Sequence, residues 1–368
     1  MTIHTYVDLF SGCGGLSYGF SKSKNFKCLL ASDFWDKAGE HYELNHKQDP
    51  FELRDFSKQE DIDSVVGRFK NKCDVVMGGP PCQGFSTLGK RNLNCEKSIM
   101  VDYFFEIATK INPKIILMEN VKAIASKKHP AGGLVTDKID EILVDSGYVY
   151  KKIILSAMDF GLGQTRKRFF LFAVKNDNKA ILDELIDGID KKKKKKVSTL
   201  KDLIGDLPVI EAGQGEQLIE HNGNKIYNHQ AMNHSEKLVE RFRYVSKGGG
   251  LLDVPLELLT NHLRKMVSGE YGTGGHAKNI YGRMSWDEPS GTIVAGMDKI
   301  TIGRFLHPDC NRLLTPRECA RIQSFPDNFR FQGSFVTQYY LIGNAVPPVF
   351  SKVFSSTISK ILGGDSWI

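Results

Sequence analysis

No stretch of this sequence comes near the roughly 18–20 consecutive apolar residues that a bilayer-spanning helix requires, which argues against a membrane-spanning protein. The parts of a secretory signal are missing too, since Asp8 is followed by six glycines or serines before residue 20. The seven cysteines (13, 28, 73, 82, 95, 310 and 319) are odd in number and scattered, with no CxxC pair and no Cys/His ligand spacing. That pattern disfavours a disulfide framework and a structural zinc site, so no metal is expected and the thiols read as free in a cytoplasmic protein. A broad charge of one sign is also absent. The 50 Lys+Arg exceed the 43 Asp+Glu by seven, and six of those seven stand together at 191–196. Overall charge therefore makes no case for a nucleic-acid partner.

What is present is an ordinary globular composition, 41% hydrophobic and 25% charged, over 368 residues. At about 100–200 residues per domain, the length suggests two domains or one large domain with an insertion. β-rich runs at 6–10, 27–32, 74–77, 114–118, 148–155 and 168–174 alternate with helical patterns at 16–23, 37–44 and 102–110. Near-continuous apolar strands separated by helices predict a parallel sheet covered on both faces. The character changes after Val174: a charged stretch ends in the lysine run, and 198–310 is rich in Gly, Asn and His without long periodic segments. This reads as an inserted second domain with loops on display. A helical pattern returns after Pro316, and an amphipathic final helix at 349–362 is expected to pack back on the sheet.

The segment Asp8-Leu9-Phe10-Ser11-Gly12-Cys13-Gly14-Gly15-Leu16 stands where a first strand turns into a first helix. Glycines there let the backbone approach a ligand closely. It is not GxGxxG and no Lys-Ser/Thr follows, which weakens the dinucleotide and P-loop readings. Asp33 and Trp35 end the second strand, where an acid can accept from ribose hydroxyls and an indole can lie on adenine. Asp55-Phe56 could serve the adenine amino edge. The pattern suits an adenosine-containing cofactor without a pyrophosphate, although a tight turn alone would look similar.

Gly78-Gly79-Pro80-Pro81-Cys82-Gln83-Gly84 follows the fourth strand. Two prolines fix φ and remove two backbone donors, holding Cys82 stiffly at the carboxyl end of the sheet, where ligands bind in open α/β folds. Glu119-Asn120-Val121 closes the next strand and brings a carboxylate to the same rim. Partial desolvation there would raise its pKa and make a proton-donating form accessible; a solvated strand-end acid is the alternative. Gln164-Thr165-Arg166-Lys167-Arg168 places two arginines at i, i+2, on one face of an extended segment, which suggests anion or carbonyl recognition.

With these residues in view, the chain resembles the DNA (cytosine-5) methyltransferases of bacterial restriction–modification type. The match runs in order through Phe10–Gly14, Pro80-Pro81-Cys82-Gln83, Glu119-Asn120-Val121, Gln164-x-Arg166-x-Arg168, Arg312-Leu313-Leu314-Thr315-Pro316-Arg317-Glu318 and Gly343-Asn344-Ala345-Val346-Pro347-Pro348. It leaves out only about 180–310, which corresponds to that family's variable target-recognition region. The resemblance implies an α/β fold: a Rossmann-like S-adenosylmethionine-dependent methyltransferase sheet with helices on both faces, plus a smaller irregular target-recognition domain. It places the catalytic and cofactor-binding domain at 1–180, completed by 325–368, and the target-recognition domain at 181–324.

The roles implied are these. Cys82 as thiolate attacks C6 of a flipped-out cytosine, Glu119 holds or protonates N3, and Arg168, with Arg166 nearby, binds the O2 side; C5 then takes a methyl group from S-adenosylmethionine. Phe10, Gly12, Gly14, Gly15, Leu16, Asp33, Trp35, Asp55, Phe56, Gly79, Pro81, Tyr103, Asn344 and Val346 would line the cofactor pocket. Asp33 replaces a commoner Glu, and Tyr103 stands where an apolar residue is frequent. Gln83, Ser86, Lys90, Arg91, Arg241, Arg243, Lys247 and Arg283 are candidates to contact DNA, with phosphate contact commoner than base readout for any one of them. The implied partner is double-stranded DNA, bound by a monomer on the bacterial nucleoid, beside a restriction endonuclease that shares the site without a stable complex. A tRNA cytosine-5 methyltransferase and a non-catalytic S-adenosylmethionine-binding DNA-binding protein remain alternatives. The sizeable 181–324 region favours DNA over tRNA, and the intact Cys82, Glu119 and Arg168 favour catalysis.

Overall fold

The computed structural model describes residues 2–81, 100–269 and 279–363. The chain divides into two compact units, one made of Met1–Phe160, Lys167–Lys194 and Ala345–Ile368, the other of Gly161–Arg166 and Lys195–Asn344. The first unit thus gives up the chain at Gly161–Arg166 and again after Lys194, and takes it back at Ala345.

The first unit is built on strands β1 (His4–Leu9), β2 (Phe26–Asp33), β3 (Phe51–Leu53), β4 (Val75–Gly78), β5 (Ile115–Val121), β6 (Tyr148–Ser156) and β7 (Lys167–Lys175). They form one sheet in the order β3-β2-β1-β4-β5-β7-β6. β1 to β5 pair in parallel, as the unbroken apolar runs predict, but β7 is antiparallel to both β5 and β6. The expectation of a wholly parallel sheet is corrected at these two strands. A parallel partner needs a crossover of about a dozen residues or more, and only residues 157–166 separate β6 from β7.

The unit's helices are α1 (Tyr18–Ser21), α2 (Asp36–Asn45), α3 (Gln59–Phe69), α4 (Met100–Ile111), α5 (Val135–Asp145), α6 (Lys179–Asp190) and, after the second unit, α12 (Pro348–Leu362). Ile62, Val65 and Phe69 of α3, Val101, Phe104 and Ala108 of α4, and Val135, Ile139 and Leu143 of α5 bury helical stripes against one sheet face. That face supplies Val7, Val76, Ile116, Met118, Phe169 and Leu171. Alternation turns Phe170 and Phe172 to the opposite face, where both meet Phe354 of α12 with ring centroids 4.9 and 5.2 Å apart. α12 also crosses α1 at backbone distance. Gly19 N donates to Ser351 Oγ (2.7 Å), Ser351 Oγ donates to Leu16 O, and a Cβ on Gly19 would stand 2.5 Å from the Ser351 carbonyl.

The second unit holds α7 (Leu200–Ile204), β8 (Gly215–His221), β9 (Asn224–Gln230), α8 (Glu236–Tyr244), α9 (Asn261–Val267), β10 (Gly282–Arg283), β11 (Arg304–Leu306), α10 (Pro316–Ile322) and α11 (Phe335–Asn344). β8 and β9 form a hairpin turned by Asn222 and Gly223, both at positive φ (51° and 75°), the conformation that an Asn-Gly pair favours. α10 opens on a capping box: Glu318 N donates to Thr315 Oγ1 (3.1 Å) and Thr315 N donates to Glu318 Oε2 (2.6 Å). The same carboxylate takes two 2.8 Å bonds from the Arg312 guanidinium, and both side chains are buried. Burial alone would push the Glu318 carboxyl up, but the charge and hydrogen bonds of Arg312 outweigh it and hold the group at about 2.

This pair generates a prediction on stability. Glu318→Gln leaves a buried guanidinium without its counter-charge, and unfolding in urea should show a loss of about 3–5 kcal/mol. Because the folded carboxyl lies below the ordinary 4.5, its contribution is complete above that pH and is lost as pH falls from 4.5 toward 2. The stability difference between wild type and the Gln variant should shrink across that window.

Candidate active site

β1, β2, β4 and β5 run parallel, so the loops after them gather at one edge of the sheet. The loop after β1 turns through left-handed backbone at Phe10 (φ 57°), Gly12 (56°) and Gly14 (86°). Its Gly12 N donates to Asp33 at 2.9 Å, and Trp35 N donates to the other oxygen of the same carboxylate at 3.0 Å. Burial pushes the Asp33 carboxyl up, and these N–H donors oppose that shift. A Cβ at Gly12 would meet nothing within 4 Å, so the loop backbone there faces open space. At Gly15 the opposite holds: a Cβ would overlap the Val346 carbonyl, so this glycine is required by close backbone approach. Leu16 is buried beneath the loop, and Phe10 sets its ring against the edge of buried Phe56 at 5.3 Å. Asp55 follows β3, its Oδ1 accepting from Ser57 N at 3.1 Å, and Tyr103, in the first turn of α4, packs half-buried on the core. Asn344 is the exposed last residue of α11, in the second unit.

His46 is a contributor that the sequence reading missed. Its buried ring stacks on Tyr42 (4.3 Å between centroids), lies 3.7 Å from Asp49, and occupies the space that a Cβ on Gly14 would need. A lone histidine after a helix carries no signal for this; only the fold brings it beneath the loop.

Cys82, Gln83, Ser86, Lys90 and Arg91 lie outside the described residues. The segment leading to the thiol is fixed from β5. Asn120 Nδ2 donates to Pro80 O at 3.0 Å, while its Oδ1 accepts from Val121 N at 2.9 Å. Pro80 is buried and Pro81 partly so. Glu119 meets the same segment, since a Cβ on Gly79 would be in van der Waals contact with its Oε2 at 3.4 Å. Its other oxygen, Oε1, lies 3.1 Å from Arg168 Nε. In the β5–β7 register Glu119 is opposite Phe170 and Val121 opposite Arg168, so the two charges are diagonal neighbours on one face. Both are largely withdrawn from solvent, with side chains 12% and 14% exposed.

The two arginines expected on one face of one strand separate. β7 begins at Lys167, and Arg166 belongs to the second unit, where it is buried and donates to Ile293 O (2.7 Å) and Gly343 O (2.9 Å). Gln164 is buried beside this segment, donating to Ile322 O and accepting from Ile293 N. Arg166 therefore holds the backbone that precedes Asn344, whereas Arg168 faces Glu119.

Among the candidates for DNA contact, Arg243 is exposed at the end of α8, and exposed Lys247 pairs with Asp309 at 2.8 Å. Arg241 is partly buried, its Nε donating to Leu258 O at 2.7 Å. Arg283 is placed differently from expectation. It is 5% exposed and its guanidinium donates to Phe242 O, Val245 O, His307 O, Cys310 O and Asn311 Oδ1 at 2.6–2.8 Å. These bonds satisfy carbonyls at the end of α8, so in this structure Arg283 is framework.

Both the arginine and the glycine loop can be probed by stability. Arg283→Ala should lower stability by on the order of 3 kcal/mol in urea unfolding, because several buried acceptors lose their donor at once. An unchanged unfolding midpoint would return Arg283 to the DNA-contacting set. Gly14→Ala should lower stability by about 1–3 kcal/mol, through positive φ and collision with His46; pairing it with His46→Ala should recover part of that loss.

Among the described residues no helix is long and apolar enough to cross a membrane, and no group of three His, Cys, Asp or Glu could hold a metal. Residues 4–360 match the model of the C-5 cytosine-specific DNA methylases. The chain is 33% identical over 385 aligned positions to the Type II methyltransferase M.DdeI of Desulfomicrobium norvegicum, covering 96% of this chain and 88% of that one. It is 31% identical to the Type II methyltransferase M1.HphI of Haemophilus parahaemolyticus, covering 97% and 87%. In fold it is similar to a prophage-encoded E. coli protein described as a DNA modification methyltransferase, with a TM-score of 0.72 at 23% identity over 98% of this chain and all of that one. The shared chain length, the ordered motifs and the sheet that carries them agree: the chain belongs to the C-5 cytosine-specific DNA methylase family.

Proposed function

We propose that this enzyme transfers a methyl group from S-adenosylmethionine to C5 of a cytosine flipped out of a specific duplex DNA sequence, through a covalent bond between Cys82 and C6. The observation that carries the reading is the Glu119–Arg168 pair, 3.1 Å apart, against the backbone that delivers Cys82. A pyrimidine ring edge presents N3 and O2 side by side, and a carboxyl beside a guanidinium is the complementary set.

The first unit's loops fit the cofactor. Gly12 leaves open space where a side chain would stand, and Asp33, with backbone donors at Gly12, Phe34 and Trp35, keeps acceptor capacity on its two oxygens. Phe10, Gly12, Gly14, Gly15, Leu16, Asp33, Trp35, Asp55, Phe56, Gly79, Pro81, Tyr103 and Val346 of this unit are the residues that would hold it. When bound, S-adenosylmethionine supplies an electrophilic methyl group. A stacked cytosine hides C6, so the base must leave the duplex before the thiolate can reach it. Cys82 then forms the Sγ–C6 bond as Glu119 gives its proton to N3 and accepts from the 4-amino group, while Arg168 binds the O2 side. C5 becomes the nucleophile that accepts the methyl. Transfer of the C5 proton to water restores the C5–C6 double bond and expels the Cys82 thiolate, and the N3 proton returns to Glu119. Arg166 acts indirectly, by holding the backbone at Ile293 and Gly343.

The Type II names of the relatives support a restriction–modification setting, with host DNA protected at the site that a cognate endonuclease cuts. The second unit would read that site, with exposed Arg243 and Lys247 at its surface. We place the enzyme as a monomer on the bacterial nucleoid.

Incubation with labelled S-adenosylmethionine and either duplex DNA or tRNA tests the substrate; label in tRNA alone would overturn the DNA reading. Cys82→Ser should lower methyl transfer by roughly 10³-fold or more while S-adenosylmethionine binding, measured by calorimetry, stays within about twofold. Activity retained by that variant would sink the covalent route.

A further inference from the structure

The lysine run at 191–196 contributes most of the chain's excess charge, yet the methylation chemistry uses none of it. The structure gives its first four residues a definite place in the first unit. Lys194 N donates to Asp159 O at 2.8 Å, Lys193 pairs with Asp190 at 2.7 Å, and Lys192 Nζ donates to Ser356 Oγ of α12. Ser356 lies between Lys352 and Lys360 at a spacing of four, so these three residues line one exposed stripe of the helix. Beyond Lys352 the stripe continues to Lys22: both Nζ atoms stand over the Tyr18 ring, at 5.6 and 5.7 Å. Lys22 also donates to Asn45 O at 3.3 Å. α12 has no acidic residue to offset this charge. Burial and the charge of nearby Lys360 both push the Lys192 ammonium below its ordinary range, which a bound polyanion would relieve.

We propose that Lys22, Lys192, Lys352 and Lys360, flanked by Lys191, Lys193 and Lys194, form a second, sequence-independent docking surface for the phosphates of duplex DNA. The proposal rests on the reading of duplex DNA as substrate. From Lys352 to Lys360 the helix rises ~12 Å, and a duplex of that length carries roughly seven phosphates. A membrane surface is the weaker fit. The apolar side of α12, with Phe350, Phe354, Ile358 and Ile361, is already buried, leaving nothing to insert among lipids. Such a surface would hold the enzyme on duplex outside its target and lengthen its stay between sites.

The test measures binding of a cytosine-free duplex, poly(dA)·poly(dT), by fluorescence anisotropy between 50 and 200 mM salt. Replacing Lys22, Lys192, Lys352 and Lys360 together by Gln should flatten the slope of log K against log salt by roughly 3–4, near 0.9 for each phosphate that is no longer neutralised. The corresponding Lys→Arg set should keep the slope. Methylation of a short duplex holding only the target should stay within about twofold in both. If the quadruple Gln variant misfolds, Lys352→Gln and Lys360→Gln singly should each remove about 0.9 of the slope. An unchanged slope overturns the proposal and leaves the substrate reading intact. Lysine-dependent binding to phosphatidylserine vesicles with no slope change on duplex overturns it in favour of a lipid surface. A lysine-dependent slope in an enzyme that labels only tRNA retains the docking surface and removes the substrate reading.

Discussion

The site depends on one constraint, the antiparallel ladder between β5 and β7. It sets Glu119 diagonal to Arg168 on the same face, where neither charge has much water to fall back on. Desolvating either alone would be costly, and each makes the other tolerable. Alternation along β5 divides the work between consecutive residues. Glu119 turns its carboxylate toward Arg168 and Gly79, while Asn120 turns to the backbone and fixes Pro80. Two adjacent side chains therefore set both the carboxylate and the approach to the thiol.

The second unit solves a different problem. Much of it is irregular, so its carbonyls cannot be satisfied by ladders or helices alone, yet those that are buried still need donors. Buried arginines meet that need. Arg283 gathers carbonyls from α8 and from the segment after β11, and Arg317 donates to Tyr227 O, Pro326 O and Phe329 O. A planar fork of five donors suits this use better than a lysine point charge. In such a region an arginine is as well suited to framework as to phosphate, and composition does not separate the two.

The legible parts of the fold were those in which local pattern and tertiary role coincide. The apolar runs of β4 and β5 are buried on both faces and could not have been half-exposed strands. The glycine loop after β1 carries its own signal, because left-handed turns and close approach both demand glycine. The direction of β7 was not legible, because its apolar sequence suits either pairing and only the short connection from β6 decides it. The β8–β9 hairpin was overlooked although Asn222-Gly223 marks it, since β8 is largely exposed and lacks a strong apolar alternation. The place of His46 beneath Gly14 and the separation of Arg166 from Arg168 arise from contacts distant in sequence, to which residue spacing is blind.

The meeting of α1 with α12 also sets a timetable. Gly15 packs on Val346, and Gly19 bonds to Ser351, 332 positions later in the chain. On a ribosome adding about 5–20 residues each second, the loop at residues 8–16 would wait some tens of seconds for the helix that seats it. Through that interval the nascent chain carries its sheet without the contacts that back the loop. The loop is seated only once α12 has been made and docks. A chain stopped before that helix would keep most of the sheet and lose the support beneath the loop.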